Sequence, residues 1–188
     1  MSGHPERWFP APVLARPSRP HYTTYMNVCI IHDSQQGNGN QVAETMGAVF
    51  EEQGARVIIS HVDKLAAVEL PGLSPDLLIV GAALRGFRVS ANVKRWISEA
   101  RKALGGSEAG RTVPKGAVFL THGLPPNAAD GWGKRLLRRL RRSGICAEVY
   151  PVWISGRVAD QMGPLADGVL ESVEAHAQEL LRTVGQSA

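Results

Sequence analysis

Cysteine is scarce in this chain: only Cys29 and Cys146 occur in 188 residues, and neither belongs to a CxxC pair or a Cys/His cluster. That excludes a disulfide-stapled scaffold and thiolate zinc modules. Each sits in an apolar run, so both are expected to be buried free thiols. The six histidines, at positions 4, 21, 32, 61, 122 and 176, keep no metal-ligand spacing, and no bound metal is expected. No apolar run is long enough to span a bilayer, and prolines split Trp8-Phe9 from Val13-Leu14, which leaves no secretory h-region. A cytoplasmic protein with no membrane span is the expectation. A hydrolase is disfavoured because no Ser/His/acid set or nucleophile elbow is present.

The length suits one domain with a full core and is short for two. Residues 1–25 hold Pro5, Pro10, Pro12, Pro17 and Pro20 with little apolar periodicity, and read as an extended tail ahead of one domain over 26–188. The net charge of +4 is unevenly spread. Lys134, Arg135, Arg138, Arg139, Arg141 and Arg142 carry +6 and the tail carries +2, leaving −4 on the rest. The 134–142 segment reads as a surface helix, with Leu136, Leu137 and Leu140 as its apolar stripe. Its charge suits an acidic partner. No aromatic platform or nucleic-acid module accompanies it, so nucleic acid is not an expected partner.

Apolar runs and helical patterns alternate along the domain. Strands are expected within Met26–Ile31, Arg56–His61, Leu77–Gly81, Gly116–Thr121 and Ala147–Ile154, the second and third buried on both faces. Between and after them, helices are traced by Val42 to Phe50, Val93 to Leu104, Trp132 to Arg142 and Val169 to Val184, with a loop over 105–110. Such alternation requires a parallel sheet with right-handed crossovers, and so a three-layer α/β architecture. Ligands of open parallel sheets bind at the strand carboxyl ends where strand order reverses. The loops after Ile31, Val80 and Leu120 should therefore converge.

The first of these loops is the most informative. In Ser34-Gln35-Gln36-Gly37-Asn38-Gly39-Asn40, glycines let the backbone approach a ligand and asparagines tolerate left-handed conformations, at the start of a helix whose dipole favours an anion. It is not a P-loop, because Gly39 is followed by Asn40-Gln41 rather than Lys-Ser/Thr. It is not a dinucleotide fingerprint either, because Val42 stands where a small residue is needed. The loop resembles that of the flavodoxins, with their Ser/Thr-x-Thr-Gly-Asn-Thr pattern and a helix carrying Ala-Glu: Ser34, Gly37, Asn38, Ala43 and Glu44 match in register. Gln36 and Gly39 depart and remove two threonine hydroxyls, so backbone N–H groups, Ser34 and the Gln36 and Asn40 amides are left as donors.

The resemblance implies a five-stranded sheet of order 2-1-3-4-5 with helices on both faces, and flavin mononucleotide (FMN) as cofactor. It places Ala82, Ala83, Leu84, Arg85, Gly86 and Phe87 along the flavin ring, and Thr121, His122 and Gly123 at its pyrimidine edge. Phe87 or Trp132 would shield a ring face. The Gly-Ala-Ala-Leu-Arg run is also similar to a loop of the menaquinone-dependent protoporphyrinogen oxidases. The implied function is electron transfer or a small NAD(P)H/quinone-type oxidoreductase, with a redox protein or a small-molecule acceptor as partner and a homodimer admitted. Arg85 or a protonated His122 beside the ring would favour two-electron chemistry. The alternative is an interaction module that keeps the fold and has lost the flavin.

Overall fold

The computed structural model describes residues 26–105, 112–125, 127–160 and 162–185. The tail over 1–25 and most of the 105–110 loop lie outside them. In chain order the elements are β1 (Asn27–His32), α1 (Asn38–Glu52), β2 (Arg56–His61), a 3-10 turn (Ala67–Glu69), α2 (Leu70–Leu73), β3 (Leu77–Arg85), β4 (Arg88–Val89), α3 (Ala91–Gly105), β5 (Val113–His122), α4 (Asp130–Ser143), β6 (Cys146–Val149), β7 (Ile154–Arg157) and α5 (Val169–Gly185).

The main path of the sheet runs β2-β1-β3-β5-β6, with β7 also paired to β5 and β4 to β3. All pairings are parallel except the β3–β4 hairpin. This is the expected 2-1-3-4-5 order with the last strand divided. Tyr150 N–H still donates to Gly116 O at 2.8 Å, but Pro151 has no N–H to offer and pairing resumes only at Ile154.

Strand periodicity sorts the core into two layers. Val28 and Ile30 of β1, Leu77 and Ile79 of β3, and Ala117 and Phe119 of β5 face one side, where Val42, Met46 and Phe50 of α1 and Val173, Ala177 and Leu180 of α5 cover them. Cys29, Ile31, Leu78, Val80, Val118 and Leu120 face the other, under Val93, Trp96 and Ile97 of α3 and Leu136, Leu137 and Leu140 of α4. Each fully buried Val, Leu, Ile, Met or Phe among them contributes about 1.5–3 kcal/mol, whether it comes from strand or helix. β2 differs from expectation. It is an edge strand, so Arg56 and Ile58 stay exposed rather than buried on both faces.

Two glycines mark close approaches within these layers. Gly81 of β3 lies opposite Phe119 of β5, where a β-carbon would stand 1.9 Å from the ring. Gly133 of α4 lies beneath Trp153, where a β-carbon would stand 2.1 Å from the indole. No helix among the described residues is long and apolar enough to cross a membrane.

Candidate functional site

The loop after β1 turns on Gly37, whose φ of 84° lies in the left-handed region and caps α1 without a side-chain hydrogen bond. Gln35, Gln36 and Gly37 are exposed at its tip. The first helical bond runs from Gln41 N–H to Gly37 O at 2.9 Å, so the N–H groups of Asn38 and Asn40 have no acceptor within the helix. Gly39 N–H donates to Ser34 Oγ at 2.9 Å, which closes the loop on itself and leaves the Ser34 proton available to a ligand. The helix start thus offers main-chain donors, one hydroxyl and the positive end of a dipole.

One expected amide donor, that of Asn40, and the neighbouring Asn38 amide are engaged elsewhere. Asn38 Nδ2 donates to Met162 O at 3.2 Å, beside Gly163, and Asn40 Nδ2 donates to Glu44 Oε1 at 2.7 Å. The departure at Gly39 has a steric reason: a β-carbon there would come within 3.0 Å of Ser34 Cβ and 3.7 Å of Thr121 Cγ2.

The second loop is a β-hairpin. Gly86 and Phe87 occupy its tip with φ of 51° and 57°, and Leu84 pairs with Val89 and Arg85 with Arg88. The hairpin is tied to the first loop by Asp33, a residue that sequence reasoning did not single out. Its carboxylate is buried, Oδ1 accepting Ala83 N–H at 2.9 Å and Oδ2 finding no partner among the described residues. Arg85 Nη2 donates to Asp33 O at 2.9 Å. Ala82 is buried and Ala83 and Leu84 are half-buried along this seam. Phe87, 66% exposed, instead lines a groove between α3 and α4. Trp132 lines the same groove while packing on the core, with Arg135 stacked 4.5 Å from its ring.

The third loop begins with Thr121 and His122, both buried, and Gly123, which is exposed. Thr121 Cγ2 packs near Gly39 and Gly156, so this strand end does abut the first loop. His122 faces away into a cavity of about 570 Å³ shared with Asp130, Trp153, Ser155 and Arg157. Its Nε2 shares a 2.9 Å hydrogen bond with Ser155 Oγ, and Nδ1 lies buried near the Leu124 main chain without meeting hydrogen-bond geometry. Burial pushes its pKa down, opposed by Leu124 and reinforced by the Arg157 charge. Burial therefore favours the neutral ring near pH 7. His32, whose Nδ1 accepts Ser34 N–H at 3.2 Å, is likewise pushed down, first by burial and then by His61. Asp130 is a first-turn helix charge, paired with Lys134 at 2.6 Å and accepting Trp153 Nε1–H at 3.1 Å.

The first-loop geometry suits a phosphate monoester, and the buried, partnerless Asp33 Oδ2 suits a ligand hydroxyl or N–H donor.

No family model and no curated protein matches the chain. Solved structures do. Flavodoxin 1 from Bacillus cereus aligns with a TM-score of 0.61 at 19% identity, over 83% of this chain and 97% of that one. A WrbA-like flavodoxin protein from Agrobacterium tumefaciens aligns with a TM-score of 0.65 at 13% identity, over 86% and 98%. Rubredoxin oxygen:oxidoreductase from Desulfovibrio gigas aligns with a TM-score of 0.66 at 15% identity, over 85% of this chain but only 36% of its own length. The fold is flavodoxin-like.

Proposed function

We propose that this chain binds FMN and serves as a redox protein, exchanging electrons with a partner protein or a small-molecule acceptor. The observation that carries the reading is the start of α1: the exposed Gly37 cap, the unengaged N–H groups of Asn38 and Asn40, and the Ser34 hydroxyl beside them. A phosphate monoester is the ligand such a cradle holds best. The likeness to flavodoxins makes FMN the natural bearer of that phosphate.

In this reading Gln36, Gly37, Asn38 and Asn40 supply main-chain donors and Ser34 its hydroxyl to the phosphate, while Gly39 N–H stays on Ser34 Oγ. Asp33 Oδ2 accepts from a hydroxyl of the ligand's polyol chain. Main-chain groups of Ala82 to Leu84 and of Thr121 to Gly123 border the ring. When bound, FMN supplies reversible electron or hydride transfer. Arg85 remains the cation nearest this seam, yet it holds the main chain of Asp33, whose own carboxylate offsets its charge. With His122 neutral and turned away, little positive charge is left to favour a reduced, anionic ring. Electron transfer is therefore preferred over two-electron oxidoreductase chemistry.

One observation favours the second reading, a module that has lost the flavin: the Asn38 and Asn40 amides are committed to Met162 O and Glu44. Titration of purified protein with FMN separates the two. Flavin absorption bands that persist through gel filtration, with quenched fluorescence, support the first; a colourless protein that leaves added FMN fluorescence unchanged supports the second. Oxidation of NAD(P)H with a quinone acceptor by the loaded protein would restore the enzyme over the carrier.

A further inference from the structure

The groove between α3 and α4 has a volume of about 1240 Å³ and an unusual charge balance. Arg88 of the hairpin, Lys94, Arg101 and Lys102 of α3, and four arginines of α4 line it, while no Asp or Glu does among the described residues. None of these cations belongs to an ion pair among the described residues; the α4 acid, Asp130, is paired with Lys134 outside the groove. Like charges crowded on the walls of a cleft repel one another and concentrate a positive field within it. Three of the guanidinium groups already have partners, Arg138 Nε donating to Lys134 O at 3.3 Å. Arg139 Nη2 reaches across to Lys94 O at 3.3 Å and Ser98 Oγ at 3.4 Å, and Arg135 lies over Trp132. Such pre-ordering lowers the entropy lost when a carboxylate is bound.

We propose that this groove docks an extended acidic segment of a partner protein. Shape argues for it over other polyanions. On α3 the groove is lined from Lys94 to Gly105, about 18 Å of helix, so 1240 Å³ spread along it gives a mean cross-section of about 69 Å². An extended chain occupies about 48 Å², from strand spacing and sheet spacing, and about five or six residues span that length. A nucleic-acid duplex, whose major groove alone is about 12 Å across, is too broad to enter, and a flat bilayer would touch only the helix crests. This chain's own tail is ruled out by charge, since Arg7, Arg16 and Arg19 outweigh Glu6. The groove walls and the exposed Phe87 at its hairpin end favour a segment in which acidic residues alternate with apolar ones, because alternate side chains of a strand share a face. The proposal rests on no property of the first loop.

The test uses the full chain and a fluorescent eight-residue peptide of alternating Glu and Leu, read by anisotropy at low and moderate salt. Binding should weaken as salt rises, and R101E/R142E should weaken it by about tenfold or more, because both side chains line the groove. The control R95E/R141E makes the same change in net charge at exposed positions of the same helices outside the groove, and should weaken binding by less than about threefold. Circular dichroism confirms the fold of each variant. Equal losses in both pairs, no binding by the unaltered chain, or tighter R101E/R142E-sensitive binding of a 20-base-pair DNA duplex or of phosphatidylglycerol vesicles would each overturn the proposal.

Discussion

Ser34 and Gly39 define each other. The hydroxyl oxygen of Ser34 accepts the N–H of Gly39 at 2.9 Å, and that closeness would crowd a β-carbon at Gly39, 3.0 Å from Ser34 Cβ. The loop trades a second side-chain donor for a tight, self-capped turn. Ser34→Ala removes both the cap and the remaining hydroxyl. It should lower stability by about 1 kcal/mol in urea unfolding without ligand. It should also weaken FMN binding by about tenfold, the size of one lost hydrogen bond to a charged group.

Gly133 and Trp153 form a similar pair in the core beside the third loop. In Gly133→Ala the new methyl group would meet the indole, forcing the ring to move and breaking its bond to Asp130. The cost should be about 1–3 kcal/mol by thermal or urea unfolding, with a red-shifted tryptophan emission. An unchanged emission maximum and midpoint would show that the ring does not sit there.

Acid should destabilise the fold through its buried histidines. His32 and His122 have pKa values pushed below 6.5, so as pH falls the unfolded chain takes up protons first and stability is lost. The urea midpoint should fall between pH 7 and pH 5, and His122→Gln should make that fall shallower. Proton NMR should place both imidazole midpoints below that of a free histidine.

At the alkaline end the two thiols act in the same direction. Burial pushes Cys29 and Cys146 from 9.0 to about 12, so between pH 9 and 12 the unfolded chain alone loses these protons and folding weakens as pH rises. Each contributes up to about 1.4 kcal/mol per pH unit in that window. Native protein should resist a thiol reagent at pH 8 and react with it after denaturation.

The layered fold was legible because its cause is local: alternation within Val28–Ile31, Leu77–Val80 and Ala117–Leu120, and helical spacing in the segments between, appear in short windows. The Gly37-Asn38 turn was legible for the same reason. The site's remainder depends on distant contacts. The burial of Asp33 rests on Ala83, fifty residues away, and the neutral state of His122 rests on the wall formed by Trp153, Ser155 and Arg157. Phe87 was expected beside a ring, but the hairpin turn at Gly86 and Phe87 carries it to the α3–α4 groove. The division of the last strand turns on Pro151, whose missing donor is visible in the sequence although its place in the ladder is not.

The central claim is that the start of α1 grips a phosphate. Calorimetric titration of the full chain with FMN and, separately, with riboflavin isolates that group, since the two ligands differ only in the terminal phosphate. The account predicts one site that binds FMN at least about tenfold more tightly than riboflavin, a lower bound for a charge-assisted contact at a helix start. Equal affinity for the two, or no heat with either, would contradict it.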